Sequence, residues 1–564
     1  MMTRKTTTYT ILLIGAITCI STYFLLMPAT IKDLEACNPL FGSVDFIAAN
    51  LHAPEGIINM ITVWLTQWFY NPLWGSTIIS ALVILIGFLT SIQAKTRNFS
   101  TILTTVPVLC LAATMLFPDI AALIQCNIAL SILLLYIKAR ERKYQPLLYL
   151  LCILFWPLLG NGCTIALLIA CFITDLFDKK KVINYIYPVL TGIIVYYLPR
   201  LWSLFISYIP AGEQTNFNLA TPTAAIIIYT ALIPYSAPLI GKYIKRTYSW
   251  MNILCCLVPA LAIPVHFLYH DKYALEEDFH NLEQAAEAGD WNTVKELTNN
   301  GKAFENGLYL RYALLAENKL GTLSSNLFNY PVNSTVDLFF WHTNQKDASF
   351  FNGLFYKNLG VADEYMHQIF EMGTTMHPFM SARTIRHLTE AACMQGDSAL
   401  TKKYIQIAQK SQRIPNWKNR IQNIQKSQTK HENTPNRTQF FIGTYLPRIE
   451  FTMMLEDDST NTERMNYMLY SLLLEKEITK FGYALKIFEN KLPEHLPKAY
   501  DEAFVLLKTM DPKINLKYQL SEMSIKEWLD FLDLKEKNQQ QDLIRKYRNT
   551  YWYYYFFIAP KELK

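Results

Sequence analysis

Nine apolar runs fill most of the first 270 residues, and none carries an Asp, Glu, Lys or Arg near its middle. They cover 9–27, 74–93, 101–118, 119–138, 147–160, 163–178, 184–200, 222–241 and 250–270. In hydrocarbon a chain must satisfy its own backbone hydrogen bonds, so runs of this kind become helices. The expectation is a polytopic transmembrane bundle of about nine helices over residues 1–270. The fifth and sixth runs are short and are parted only by Gly160-Asn161-Gly162, which fits two tilted spans or a re-entrant hairpin. The first run starts at basic Arg4 and Lys5 but meets Met27-Pro28-Ala29-Thr30 with no small-x-small cleavage site. It therefore reads as an anchor rather than a signal peptide.

The charges set an orientation. Residues 1–270 hold 16 Lys/Arg and 9 Asp/Glu, and residues 271–564 hold 36 and 37, so the net +6 resides in the apolar half. With a cytoplasmic N-terminus, the cytoplasmic segments carry Arg4, Lys5, Lys95, Arg97, Lys138, Arg140, Arg142, Lys143, Lys179, Lys180, Lys181, Lys242, Lys245 and Arg246. The outer loops carry only Lys32 and Arg200. That bias predicts a multi-pass protein whose last apolar run ends outside, in the periplasm of a Gram-negative cell. A re-entrant hairpin at 147–178 leaves the parity unchanged. The basic excess is therefore topological, and the charge-balanced second half has no basic block to bind nucleic acid. Asp175 lies beside a "DKKK" end and Asp119 at an outer turn. The absence of mid-span ionisable groups argues against an ion-coupled transporter.

Residues 28–73 form the longest outer loop of this half. Ile57, Ile58, Ile61, Leu65 and Trp68 recur at helical spacing, with Trp64, Phe69 and Tyr70 among them. This pattern predicts an amphipathic helix at the membrane interface. Upstream stand Asp33, Glu35 and Asp45, with Glu55 at the helix start. Carboxylates beside a membrane face can serve as a general base or hold a divalent cation and a phosphate; the ordinary alternative is solvated loop acids. One membrane helix, a long acidic outer loop, a helix bundle and an outer soluble domain together resemble the C-type glycosyltransferases, which use lipid-linked sugars. That resemblance implies a catalytic acid in this loop, with Asp33, Glu35 and Asp45 as candidates and a divalent cation as the only cofactor. It covers architecture and no motif: the family's adjacent acidic pair is missing, because Leu34 parts Asp33 from Glu35.

From Asp278 the pattern turns to helix–turn–helix. Gly289-Asp290-Trp291, Gly360 and Gly396 mark short turns between helical runs in "HNLEQAAEAGDWNTVKELTN", "FFNGLFYKNLGVADEYMHQIFEM" and "TIRHLTEAACMQGDSALTKKYIQIAQ". Residues 278–535 resemble tetratricopeptide repeats. The fold class expected is thus all-α, a transmembrane bundle followed by a TPR-like α-solenoid. Repeats are placed at 271–425, a polar linker at 426–438 and further repeats at 439–564. The stretches "EGIINMITVWLTQWFYNPLWGS", "FENGLYLRYALLAENKLG" and "NTYWYYYFF" are similar to an uncharacterised family of bacterial membrane proteins that join a polytopic half to a TPR-like half. That resemblance implies an envelope location and no activity.

The remaining constellations are weaker. His266 and His270 are four apart, with His280 beyond, but no third ligand at fixed spacing joins them, so no metal site is assigned. The aromatic run Tyr551, Trp552, Tyr553, Tyr554, Tyr555, Phe556 and Phe557 is too short to span a bilayer. It is expected to dock on the last solenoid helices, the membrane interface or a partner. Asp397-Ser398-Ala399 and Asp458-Ser459-Thr460 match a short acceptor for periplasmic O-glycosylation. Of ten cysteines, only Cys37 and Cys393 stand clearly outside apolar runs, and no CxxC occurs. No phosphate loop, HExxH helix, nucleophile elbow or dinucleotide fingerprint is present. The expected partners are the bilayer and a periplasmic protein or glycan.

Overall fold

A computed structural model describes residues 4–52, 55–96, 101–139, 145–177, 186–205, 221–241, 249–299, 301–339, 345–375, 381–410 and 447–559. Among them the regular structure is helical, with no β-strand. The chain divides into two compact units, Met1–His280 with Gln409–Ile414, and Asn281–Ala408 with Pro415–Lys564. The polar linker expected at 426–438 lies outside the described residues, as do most of the basic residues that set the orientation.

The first unit contains α1 (Arg4–Leu26), α2 (Pro28–Cys37), α3 (Val44–His52), α4 (Gly56–Thr66), α5 (Pro72–Thr96), α6 (Thr101–Met115) and α7 (Ile120–Ala139). It continues with α8 (Gln145–Leu154), α9 (Trp156–Phe177), α10 (Ile186–Phe205), α11 (Pro222–Gly241), α12 (Ser249–Tyr269) and the start of α13 (Asp271–Ala288). Thr8–Leu26, Pro72–Thr96, Ile120–Ala139 and Trp156–Phe177 are long and apolar enough to cross a membrane, which is compatible with membrane association. Five further apolar helices are shorter within the described residues. The run 147–160 divides otherwise than its hydropathy implied. It makes the ten-residue α8, too short to span, and the first turn of α9, which kinks at Gly160.

Polar groups between these helices fix their directions. The Asn127 side-chain amide donates to the Leu82 carbonyl at 3.1 Å, and that of Gln93 to the Leu130 carbonyl at 2.7 Å. Both contacts advance together along α5 and α7, so the two helices run parallel. Cys163 meets the Gln125 carbonyl at 3.9 Å and Tyr136 donates to Asp175 at 2.5 Å, which makes α7 and α9 parallel as well. The starts of α5, α7 and α9 therefore share one end of the bundle. Asp175, close to the "DKKK" end, is fully buried, and Tyr149 of α8 is its second phenol donor at 3.0 Å. At the shared end, Tyr23 stacks on Phe117 at 4.7 Å and donates to the Ala113 carbonyl at 2.7 Å.

The second unit is a series of short helices joined by tight turns. Gly289, Gly360 and Gly396 all have positive φ, at +77°, +71° and +77°. Between the helices Lys346–Asn358 and Ala362–Thr374, a Cβ on Gly353 would come within 2.7 Å of Ile369 Cδ1, so the glycine lets the two helices cross closely with the Ile369 side chain seated where it is. Asp290 accepts from the Thr293 hydroxyl at 2.7 Å and its N–H at 3.2 Å, capping Trp291–Asn299.

A buried polar network crosses this unit. Arg383 pairs with Glu283 at 3.0 Å, both almost fully buried, and its guanidinium lies 4.9 Å over the Phe350 ring. His387 is fully buried between the Tyr365 hydroxyl on Nδ1 at 2.5 Å and Glu287 on Nε2 at 3.0 Å. Burial, reinforced by Arg386, holds the imidazole well below its usual pKa. The aromatic run forms the helix Tyr551–Phe557. Tyr551, Trp552 and Tyr554 are buried, while Phe556 and Phe557 stay 37% and 42% exposed. Glu502 accepts the Tyr551 N–H on its carboxylate at 2.6 Å and the Trp552 indole on its carbonyl at 2.7 Å.

Candidate functional site

Among the described residues, the shared end of the first unit carries Asp33, Cys37, Glu277 and His280 close together. It is built around α2. Pro28 at its first position fixes φ where no N–H partner is needed. The next two N–H groups, both buried, find one carboxylate 248 and 247 residues along the chain. Glu277 accepts from Ala29 N–H at 2.7 Å, Thr30 N–H at 2.9 Å and the Thr30 hydroxyl at 2.8 Å. An anion at a helix start satisfies orphan donors and meets the positive end of the helix dipole. This clamp sets α2 against α13.

One turn along α2 stands Asp33, buried, with Cys37 a further turn on. The Cys37 thiol donates to Asp33 Oδ2 at 3.4 Å, and His280 Nδ1 approaches the same oxygen at 3.8 Å. Glu277 and His280 are three residues apart on one face of α13, so the residue that clamps α2 and the one that faces Asp33 are set together. Oxygen, sulfur and nitrogen donors thus meet around one carboxylate. Chemically, the arrangement offers an acid–base pair, or donors of the kinds that bind zinc-class ions.

The other candidates are placed differently. Glu35 is half-buried on α2, but positions two apart on a helix do not share a face, so it forms no pair with Asp33. Asp45 opens α3, and its side chain is outside the described residues. The His266 and His270 rings lie 5.2 Å apart, tilted by 47°, with Tyr273 at 5.5 and 5.3 Å from them. Among the described residues no cluster of three ligand-type side chains includes either histidine.

Glu55 is held at the start of α9. Its φ is +67°, its N–H donates to the Pro157 carbonyl at 2.8 Å, and its side chain lies over Gly160. Gly160 adopts φ +68°, ψ 179°, a region open in practice to glycine alone. Burial raises the Glu55 pKa, Asp119 adds to the rise, and a hydrogen bond from Gln125 opposes it.

Sequence reading missed Glu277 and Cys37 and left His280 unassigned to any site. The i, i+4 spacing of Asp33 and Cys37 was visible, but nothing local linked them to α13.

The family's sequence model matches residues 9–558. The chain belongs to that family, a family of unknown function (DUF6057). The DUF6057 match runs through both units, so the membrane-type and helical-hairpin parts are one family architecture. No curated protein matches the chain, and no solved structure does.

Proposed function

We propose that the chain is a multi-pass inner-membrane protein of the bacterial envelope that presents a TPR-like docking unit in the periplasm for a protein or glycan. The observation that carries this reading is the presence, in one chain, of span-length apolar helices and a run of helical hairpins with glycine-permitted crossings. Stacked hairpins of that kind bury a continuous core and leave extended faces for partners. The nine apolar runs of the sequence, with basic residues in excess between alternate runs, support this orientation.

The test has two parts. A reporter active only outside the cytoplasm, fused after Lys564, is expected to be active, and after Lys143 inactive; the reverse pattern overturns the orientation. Photocrosslinking side chains at Tyr483 and Ile487, 68% and 75% exposed, are expected to give a discrete adduct in intact cells. If no exposed position on the second unit does so, the docking role fails.

One observation favours a second reading, a C-type-like glycosyltransferase at the outer face. Asp33 is held beside an imidazole at the shared end of the bundle. There Asp33 would act as base toward an acceptor hydroxyl, or bind a cation that holds a lipid phosphate. Asp33→Asn is then expected to reproduce a deletion phenotype at normal abundance. Wild-type behaviour of Asp33→Asn, Glu35→Gln and Asp45→Asn alike removes this reading.

A further inference from the structure

We propose that α4 is an in-plane membrane helix that binds the lipid headgroup–acyl boundary through Ile57, Ile61 and Trp64.

The inference rests on the membrane reading of the first unit and deepens it. At its start, Glu55 is bonded to Pro157 and packed over Gly160, at the beginning of α9, and Gln125 near the beginning of α7 bonds the same carboxylate. At its end, Thr66 accepts from Phe69 N–H, and Phe69 lies 3.1 Å from the point where a Cβ of Gly75 would stand, in the first turn of α5. Since α5, α7 and α9 are parallel, α4 runs from the start of one to the start of another, across the end of the bundle. A helix so placed lies perpendicular to the spans, at the depth where they enter the membrane.

Its two faces then have distinct tasks. Gly56, Ile58, Val63 and Thr66 are buried against the unit. Ile57, Ile61 and Trp64 are 45%, 39% and 54% exposed, at i, i+4 and i+7. From Gly56 to Ala94 the chain has no Asp, Glu, Lys, Arg or His, so this outer stripe is not relieved by charge. Exposed Tyr70 and Trp74 extend it to the entry of α5. Aromatic rings at a span entry fit the headgroup layer, where one edge is wet and the other apolar. An exposed apolar stripe on an uncharged helix, continuous with a span-length helix, fits lipid.

The experiment places a nitroxide amino acid at Ile57, Ile61, Trp64 or Leu85 in the full chain, with native cysteines kept, reconstituted in phosphatidylcholine vesicles. Collision with oxygen and with a water-soluble nickel complex then gives the depth of each label. Leu85, 43% exposed midway along α5, is the reference and is expected deep in the hydrocarbon. The three α4 labels are expected at one shared, shallow depth. A steady change of about 10 Å from residue 57 to residue 64 would mean a helix along the membrane normal and overturns the proposal. Full access to the nickel complex at α4 with Leu85 deep means a water-facing stripe and overturns it alone. Label–label broadening without access to either quencher means a second copy of the chain covers the stripe, and also overturns it. If Leu85 itself is water-accessible, the membrane reading fails instead.

Discussion

Gly160 leaves the space that the carboxylate of Glu55 occupies, and each has a backbone conformation that ordinary residues avoid. The two positions therefore depend on each other. Gly160→Ala meets both a φ/ψ region closed to alanine, costing about 1–3 kcal/mol, and an overlap with the Glu55 side chain. The apparent Tm in mild detergent is expected to fall clearly. Adding Glu55→Ala should recover the overlap part and not the backbone part. A Gly160→Ala protein that melts as wild type would show that the kink relaxes.

The clamp on α2 gives a second prediction. Glu277→Ala leaves the Ala29 and Thr30 donors without their carboxylate, a loss of about 1–2 kcal/mol. Because α2 carries Cys37, alkylation of that thiol is expected to speed up in the variant. Glu277→Gln, which keeps an acceptor, should fall between. Unchanged Cys37 labelling would mean that other contacts hold α2.

Arg383 and Glu283 are nearly excluded from water, and removing one partner strands the other. Arg383→Met is expected to cost about 3–5 kcal/mol. With Glu283→Gln added, the loss should be less than the sum of the single losses, with a coupling on the order of 1–3 kcal/mol in thermal or denaturant unfolding. Strict additivity would show that the pair contributes no mutual stabilisation.

Glu502 supplies a pH dependence. Burial pushes its carboxyl up to about 8 from an ordinary 4.5, against the opposing Tyr551 N–H bond. The folded state therefore holds this proton more tightly than the unfolded one. Stability is highest below about 4.5 with respect to this group, falls as pH rises to about 8, and is flat beyond. Glu502→Gln keeps an acceptor for Tyr551 and is expected to flatten the profile between those limits and to match or exceed wild type at pH 8.5. Retention of the full slope in the variant would assign it to other groups.

Local signals in the sequence translated well where the physics is local. The turns at Gly289, Gly360 and Gly396 were visible because positive φ favours glycine, and Asp290 because its cap lies three residues on. Apolar runs foretold the helices of the first unit, but hydropathy does not register a break such as that after Leu154. The candidate site was legible only in Asp33. Its setting depends on Glu277 and His280, placed by a contact spanning more than two hundred residues, which no periodicity encodes. The aromatic run offered docking on the last helices, the membrane interface or a partner from sequence alone; Tyr551, Trp552 and Tyr554 lie in the core, where Glu502 and Leu474 offer them buried acceptors that no local pattern encodes.

Asp175 has a consequence for how such a chain is made. Its phenol donors, Tyr136 and Tyr149, lie on α7 and α8, both earlier in the chain. A ribosome delivers them first, so the carboxylate of α9 enters an apolar surrounding in which its donors already wait. For these two bonds, synthesis order and chemical need coincide.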